Sequence, residues 1–420
     1  MNNLKDKSAL VIDYGYMLPF AERLARDYGE VFYCTTWQSA FPKPNQYSIG
    51  MNVNGIKRVD SPFEVIDDVD VICFPDLFFG TFADWLRDRK YNVFGAGSGE
   101  CMELYRDEFK ELLKEVGLPV NEYKTLKGYT KLEKYLKDKE DCYVKVDLIR
   151  GLTETFHYKN LKLSESRLLK LKHDLGSFKE YATFVVEEPI KDCVEIGLDT
   201  FAINGEYPEK HLFGVEIKDC GYAGMIIGNE KVPKVLSDIN KKLAPTFKEY
   251  NYACNYSNEV RWNGKVGYLI DQTCRLPNPP SFLQMEIFDN YSEIIDDVAN
   301  GKVPEIKASK KYGVQCIIKS TWASIEPQAI YFDEKFKNNI KIQNLMCDDK
   351  GTYYYVPLTE EHEEVGIGSV VATGNSLDEA IKLAEKIAKT IEGDGINIDC
   401  SAMYKAQEEI NKLKKFNIYI

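Results

Sequence analysis

Two carboxylates and two arginines lie close together in the sequence, in a pattern suited to handling negative charge. Glu259-Val-Arg261 is followed by Asp271-Gln-Thr273-Cys-Arg275, with Asn263-Gly264 between them. Asn-Gly between two apolar-rich runs is a strong hairpin signal. A hairpin over 257–262 and 266–271 brings Glu259 and Asp271 onto one face of neighbouring strands. Paired carboxylate oxygens suit Mg²⁺, a hard cation that is commonly shared with phosphates. Arg275 faces the same side and can clamp a γ-phosphate or an acyl phosphate. The competing reading of the pair is a surface ion pair.

Three features upstream fit the same chemistry. Lys145 lies within the apolar strand 142–146, where it can be held at a fixed height above a sheet to meet a phosphate. Alone, it reads more readily as a solvent-facing edge lysine. The loop 150–155, with Arg150, Gly151 and Thr153, can cover a polyphosphate with backbone N–H groups and an arginine, or can be a plain turn. A third strand ends in Glu187-Glu188-Pro-Ile190, and Glu195 follows. Such a strand end can read an adenine edge, with Glu195 accepting ribose hydroxyls. Taken alone, it is a solvated acidic strand end.

Elements that position these groups are visible in the hydrophobic pattern. Short apolar runs at 8–15, 30–35, 69–74 and 91–94 alternate with helical spacing over the first ~100 residues, which predicts a small doubly wound α/β unit. No GxGxxG follows the first strand, so a dinucleotide fingerprint is absent. A helix is expected over 103–116, stopped by Gly117 with Pro119 beyond. Residues 195–201 are expected to pair with the segment after Gly205. From residue 311 the pattern is β-rich, then Ser376 with Glu379 three residues on marks a capped helix. A charged final helix over 403–415 is expected to pack on the outside. Pro277-Asn-Pro-Pro280 reads as the wall of an acceptor pocket or as a rigid surface loop.

Composition narrows the function classes. With 44% hydrophobic and 12% aromatic residues among 420, the chain can build substantial cores, and its length predicts several units. A net charge of −12 argues against broad binding to a nucleic-acid backbone. Eleven scattered cysteines without a CxxC pair argue against structural zinc and fit reduced thiols in the cytoplasm. No apolar run approaches the ~18 residues of a membrane span. The histidines His157, His173, His211 and His362 need no catalytic role.

In the order of these motifs the chain resembles the ATP-grasp superfamily, and within it the branch containing phosphoribosylamine–glycine ligase. The resemblance rests on Val93-Phe94-Gly95, the helix ending Gly117-Leu-Pro119, the Lys145 strand, the acid pair, and Gly366-Ile-Gly-Ser-Val-Val-Ala-Thr-Gly374 with its capped helix. It implies a mixed α/β and α+β ATP-grasp architecture. A doubly wound domain would span 1–100, and the ATP-grasp domain 101–310 with a lid-like part at about 120–190. A small β-rich C-terminal domain would span 311–420. The resemblance also implies ATP and Mg²⁺ (or Mn²⁺) as cofactors, and a small carboxylate and an amine as substrates, handled by a monomer or homodimer. Arg106, Lys145, the 150–155 loop, Glu187, Glu188, Ile190 and Glu195 would hold the nucleotide. Glu259, Asp271 and Thr273 would hold the metal, and Arg275 and Arg261 would serve the reacting groups.

Four departures stand out. Arg106 stands where many members carry lysine, and the loop is poor in glycine. Asp271-x-Thr273 replaces the usual Glu-x-Asn, and the long glycine-rich stretch that receives phosphoribosylamine is not evident. Two rival readings follow: a nucleotide-binding or assembly protein without turnover, and a ligase with a macromolecular acceptor such as a protein end or a modified nucleobase.

Overall fold

The computed structural model describes residues 3–35, 48–148, 155–323, 325–358 and 364–418. Its first sheet is built from β1 (Ser8–Asp13), β2 (Glu30–Thr35), β3 (Lys57–Arg58), β4 (Val71–Cys73) and β5 (Val93–Phe94). All four pairings are parallel, in the order β3-β2-β1-β4-β5. The apolar runs foreseen here are buried, as a parallel sheet covered on its faces requires. The strand order reverses between β1 and β4. In an open α/β sheet, the carboxyl ends of the strands at such a point form a natural ligand crevice.

A second, four-stranded sheet has the order β6-β9-β7-β8 and comprises β6 (Tyr123–Lys127), β7 (Cys142–Val146), β8 (Thr155–Tyr158) and β9 (Thr183–Glu187). It packs with the Tyr129–Leu136 and Leu161–Leu175 helices around a small core of its own.

The largest sheet has nine strands. β14 (Gly267–Thr273), β13 (Ala253–Trp262), β10 (Val194–Ile203), β11 (Lys210–Ile217) and β12 (Gly221–Gly228) continue into β15 (Tyr312–Ser320), β20 (Val365–Gly374) and β17 (Ile340–Ile342), with β21 (Ile396–Asn397) on β15. β16 (Gln328–Ile330), β18 (Leu345–Cys347) and β19 (Tyr353–Tyr355) form a small sheet beside it. The strands after residue 311 therefore extend the sheet that carries the Glu259–Asp271 hairpin. One apolar core runs beneath the large sheet and the first domain. Mixed α/β and α+β architecture is thus present as expected.

One local expectation changes. The helix foreseen over 103–116 is two helices, Cys101–Leu104 and Arg106–Glu115, broken at Tyr105. The break has a cause: Asp147 after β7 accepts the Arg106 N–H at 3.0 Å and so starts the second helix from outside. The expected pairing of 195–201 with the segment after Gly205 is present, since β11 lies antiparallel to β10 with Asp199 opposite Leu212, and β13 flanks the other side of β10 over ten residue pairs. The terminal segment is a helix at Lys405–Leu413 between 3-10 turns; it packs on the outside through Ala406 and Leu413, as expected, and there Glu409 and Lys412 border a cavity.

Candidate active site

The hairpin forms because Asn263 and Gly264 supply its turn. The Asn263 side chain accepts the N–H groups of Lys265 and Val266 at 3.0 and 2.8 Å, and Gly264 has a φ of +88° that suits glycine. The turn pairs Trp262 with Gly267 and Val260 with Leu269, and a bulge at Ile270 then shifts the register by one residue, so that Glu259 and Asp271 are directly opposed across β13 and β14. Thr273 follows two residues on, opposite Ser257. On the other side of β13, Glu195 opposes Arg261, and their side chains form an ion pair.

Acidic charge is crowded here. Burial, then the hydrogen bond that the protonated Glu259 carboxyl gives neighbouring Glu195 and the charges of Glu195 and Asp271, push Glu259 well above its ordinary value, with Arg261 opposing. Burial and Glu195 push Glu216 up to about 7. Nearby Asp199 accepts hydrogen bonds from Tyr222 and Ser257, each at 2.6 Å, yet burial pushes its carboxyl up to about 6. Carboxylates that repel one another in this way form the donor set that a divalent cation relieves. Among the described residues no three His, Cys, Asp or Glu groups converge on one metal position. Glu259, Asp271 and the Thr273 hydroxyl would therefore supply at most part of a metal shell. Such a shell suits Mg²⁺, which keeps waters and takes phosphate oxygens.

The complementary charge lies next door. Lys145 on β7 reaches across to the carbonyl of Ile270, the residue before Asp271, and so links the lid sheet to the hairpin. It stands 3.3 Å from Glu187, and Lys110 of the second helix stands 3.2 Å from the same carboxylate. Asn121 bridges Lys110 and Glu187 at 2.9 and 3.1 Å. Burial pushes Glu187 up, but Lys145 and Lys110 outweigh this and hold it below its ordinary range. Lys110 is itself held down by burial, and Lys145 adds to this against the pull of Glu187. Two buried ammonium groups share one carboxylate, and a polyanion would restore the balance. Buried Arg106 completes the cationic wall, with its guanidinium donating to the Val146 carbonyl at 2.8 Å.

This arrangement yields a prediction. Glu187→Gln leaves both lysines buried without their counter-charge and should cost about 3 kcal/mol or more. Added tripolyphosphate should then raise the melting temperature of the variant more than that of the wild type. Equal shifts would show that the lysines do not face a phosphate site.

Arg275 is set by a buried acid. Glu103, on the short helix before the break, accepts the Cys274 N–H at 2.6 Å and the Arg275 Nε–H at 3.1 Å. Leu276 donates its N–H to the Pro75 carbonyl at 3.0 Å, which ties this segment to the end of β4. Arg275 therefore faces the crevice between β1 and β4, where Asp76 lies 3.8 Å from its Nε and Asn278 donates to the Tyr16 hydroxyl.

A cavity of about 510 Å³ joins these parts, a size typical of small-molecule sites. Six foreseen residues line it: Glu195, Glu259, Arg261, Asp271, Thr273 and Arg275. Pro277, Asn278 and Pro279 form part of its wall, so the proline-rich segment is a cavity wall and not merely a surface loop. Lys145, Arg106 and Glu187 form the adjoining cationic cluster. Glu187 is a correction: its side chain was expected at an adenine edge and is instead enclosed by lysines. Glu188 also departs from that expectation, since its carboxylate pairs with Lys139 at 2.5 Å on the lid, while the Ile190 carbonyl accepts from the Cys193 thiol at 3.1 Å. Arg150, Gly151 and Thr153 lie outside the described residues. His157 stacks on Tyr143 and contacts Asp141 at 2.7 Å, and His211 is buried between Thr200 and Asn229, so neither lines the cavity.

Sequence reasoning missed Lys110, Glu103, Asp76 and the terminal-helix residues Glu409, Lys412 and Phe416 that border the cavity. Lys110 carried a usable signal, because it lies four residues after Arg106 and so shares its helix face. Asp76 carried another, because it follows a strand end at the point where the sheet order reverses.

No family model matches the chain, and no curated protein matches it. Solved structures do. Phosphoribosylamine–glycine ligase from Thermotoga maritima superposes with a TM-score of 0.68 at 14% identity, over 93% of this chain and 98% of that one. The biotin carboxylase domain of 2-oxoglutarate carboxylase from Hydrogenobacter thermophilus, solved with MgADP and bicarbonate, gives 0.63 at 12% identity over 99% of both chains. L-amino acid ligase from Bacillus licheniformis gives 0.57 at 14% identity, over 93% of this chain and 99% of that one. At such identities the likeness shows the fold, and the fold is the ATP-grasp architecture. Among the described residues no helix is long and apolar enough to cross a membrane.

Proposed function

We propose that this chain is an ADP-forming carbon–nitrogen ligase that activates a small carboxylate with ATP and joins it to an amine. One observation carries the reading: an opposed carboxylate pair, Glu259 and Asp271, meets a cation-rich cluster through Lys145 at the edge of one enclosed cavity. That is the charge distribution Mg-ATP requires. Two of the structural neighbours, phosphoribosylamine–glycine ligase and L-amino acid ligase, bear the names of ligases of this class.

Residue roles follow from position. Lys145 and Lys110, with Arg106 behind them, receive the phosphate chain. Glu259, Asp271 and Thr273 would hold Mg²⁺, which supplies charge neutralisation on the phosphates when bound. Glu195, paired with Arg261, stands at the cavity edge where ribose hydroxyls can be accepted. Arg275, held by Glu103, faces the transferring phosphoryl group. A substrate carboxylate oxygen attacks the γ-phosphorus, the bond to the β-phosphate oxygen breaks, and ADP leaves. The amine nitrogen then attacks the acyl carbon, the acyl C–O bond breaks, and phosphate leaves as the nitrogen gives up a proton. Neither step needs a protein nucleophile, because alignment and charge stabilisation do the work. The second substrate reaches the site from the crevice where Tyr16, Asp76 and Asn278 surround Arg275.

Hydroxylamine tests the intermediate. With Mg-ATP and a pool of small carboxylates, it should intercept an acyl phosphate and accumulate a hydroxamate in step with ADP. Formation of AMP, or ADP from an active carboxylate without hydroxamate, would contradict an acyl phosphate.

A further inference from the structure

A larger groove, about 840 Å³, lies beside the same hairpin and takes no part in the proposed reaction. Its apolar wall includes Leu118, Val235, Ile239, Trp262, Phe416 and Ile418. Its rim is basic. Lys231, Lys234, Lys241, Lys242 and Lys265 border it, against one carboxylate, Asp238, which is already paired with Lys234 at 2.6 Å. This collar of positive charge sits on a chain whose net charge is −12. Lys231, Lys241 and Lys265 are exposed.

The groove is joined to the catalytic cavity. Arg261 lines the cavity, and Trp262, the next residue, points to the opposite face of β13 and lines the groove. The Trp262 indole N–H donates to the Phe416 carbonyl at 3.2 Å, and Phe416 borders both spaces.

We propose that this groove is a second binding site, for a small carboxylate carrying an aromatic or aliphatic body. The apolar wall takes the body, and the lysine collar takes the charge. A pocket that combines an apolar lining with a few charged groups at one rim selects an amphiphilic anion over a neutral or purely polar molecule. The size of the groove is that of a small-molecule site, and its charge complements such a ligand. This binding does not depend on the ligase reading.

The test is a titration of the full chain with phenylbutyrate, followed by tryptophan fluorescence. A saturable change is expected, and it should be lost in Trp262→Phe. Phenylbutyramide, the neutral counterpart, should bind far more weakly. Reversing Lys241 and Lys265 together to glutamate, on exposed positions that leave the melting temperature unchanged, should weaken phenylbutyrate by roughly tenfold or more. Four results would overturn the proposal: no saturable change in the wild type, a change that persists in Trp262→Phe, equal binding of acid and amide, or undiminished binding after the double reversal. Dimerisation that shields Trp262 and excludes phenylbutyrate would overturn it as well, by assigning the groove to a second copy of the chain.

Discussion

Arg275→Ala lowers the rate of ATP-driven ligation by about a thousandfold, with a much smaller effect on the KM for ATP. The size follows from the role proposed for the guanidinium. In the proposed reaction it faces the cavity where charge would move from the γ-phosphate to the acyl phosphate, and removing a preorganised positive group from such a position costs about 10²–10⁵ in rate. Its orientation is fixed by Glu103, which is buried and also accepts the Cys274 N–H. The loss therefore falls on the transition state more than on nucleotide binding. Breaking a buried pair also costs stability, so the melting temperature is measured in parallel. Arg275→Lys keeps the charge without the planar fork and should recover only part of the rate. A variant that folds, binds Mg-ATP and turns over within threefold of wild type would remove Arg275 from the chemistry.

Asp271→Asn is the second large effect, and it separates function from stability. Asp271 opposes Glu259 directly across the hairpin and contributes to the repulsion that pushes the Glu259 carboxyl up. An amide removes one hard anionic ligand. Changes in the outer shell of a metal site commonly cost 10–100-fold, so loss of a ligand itself should cost about a hundredfold or more in turnover, partly recovered at high Mg²⁺. Stability should move the other way. With one carboxylate fewer in the cluster, the metal-free protein should melt at the same temperature as wild type or higher, the trade-off expected where function holds like charges together. Unchanged Mg²⁺ dependence would take Asp271 out of the metal shell. A large fall in melting temperature would show that its role is structural.

The parts of the site that were legible in the sequence are those whose geometry is local. Asn263-Gly264 fixes a turn, and the turn pairs Trp262 with Gly267, Arg261 with Tyr268 and Val260 with Leu269. A bulge at Ile270 then brings Asp271 opposite Glu259, and that shift was not legible in the sequence. Lys145 was legible as a lysine in an apolar strand, but not its reach to the Ile270 carbonyl, because 125 residues separate the two groups. Glu187 was misplaced for the same reason. An acid at a strand end reads as solvated until Lys110 and Lys145 arrive from other elements. Glu103 and Arg275 are 172 residues apart, and only the tertiary fold makes one the support of the other. The terminal helix reads as an outer helix and is one, but its charge pattern gives no sign that Glu409, Lys412 and the following Phe416 border the cavity. The alternating strands of the first domain were visible as apolar runs. The reversal of their order between β1 and β4, which aims Asp76 at Arg275, is a property of chain topology that periodicity does not encode.

The central claim is that ATP drives the joining of a carboxylate to an amine in the cavity between Lys145 and Arg275. The most direct measurement is ADP release from Mg-ATP in the presence of pooled amino acids and small amines, with Lys145→Ala as the control. ADP that depends on the pool and disappears in the variant is expected. AMP in place of ADP, or ADP release that Lys145→Ala leaves intact, would contradict it.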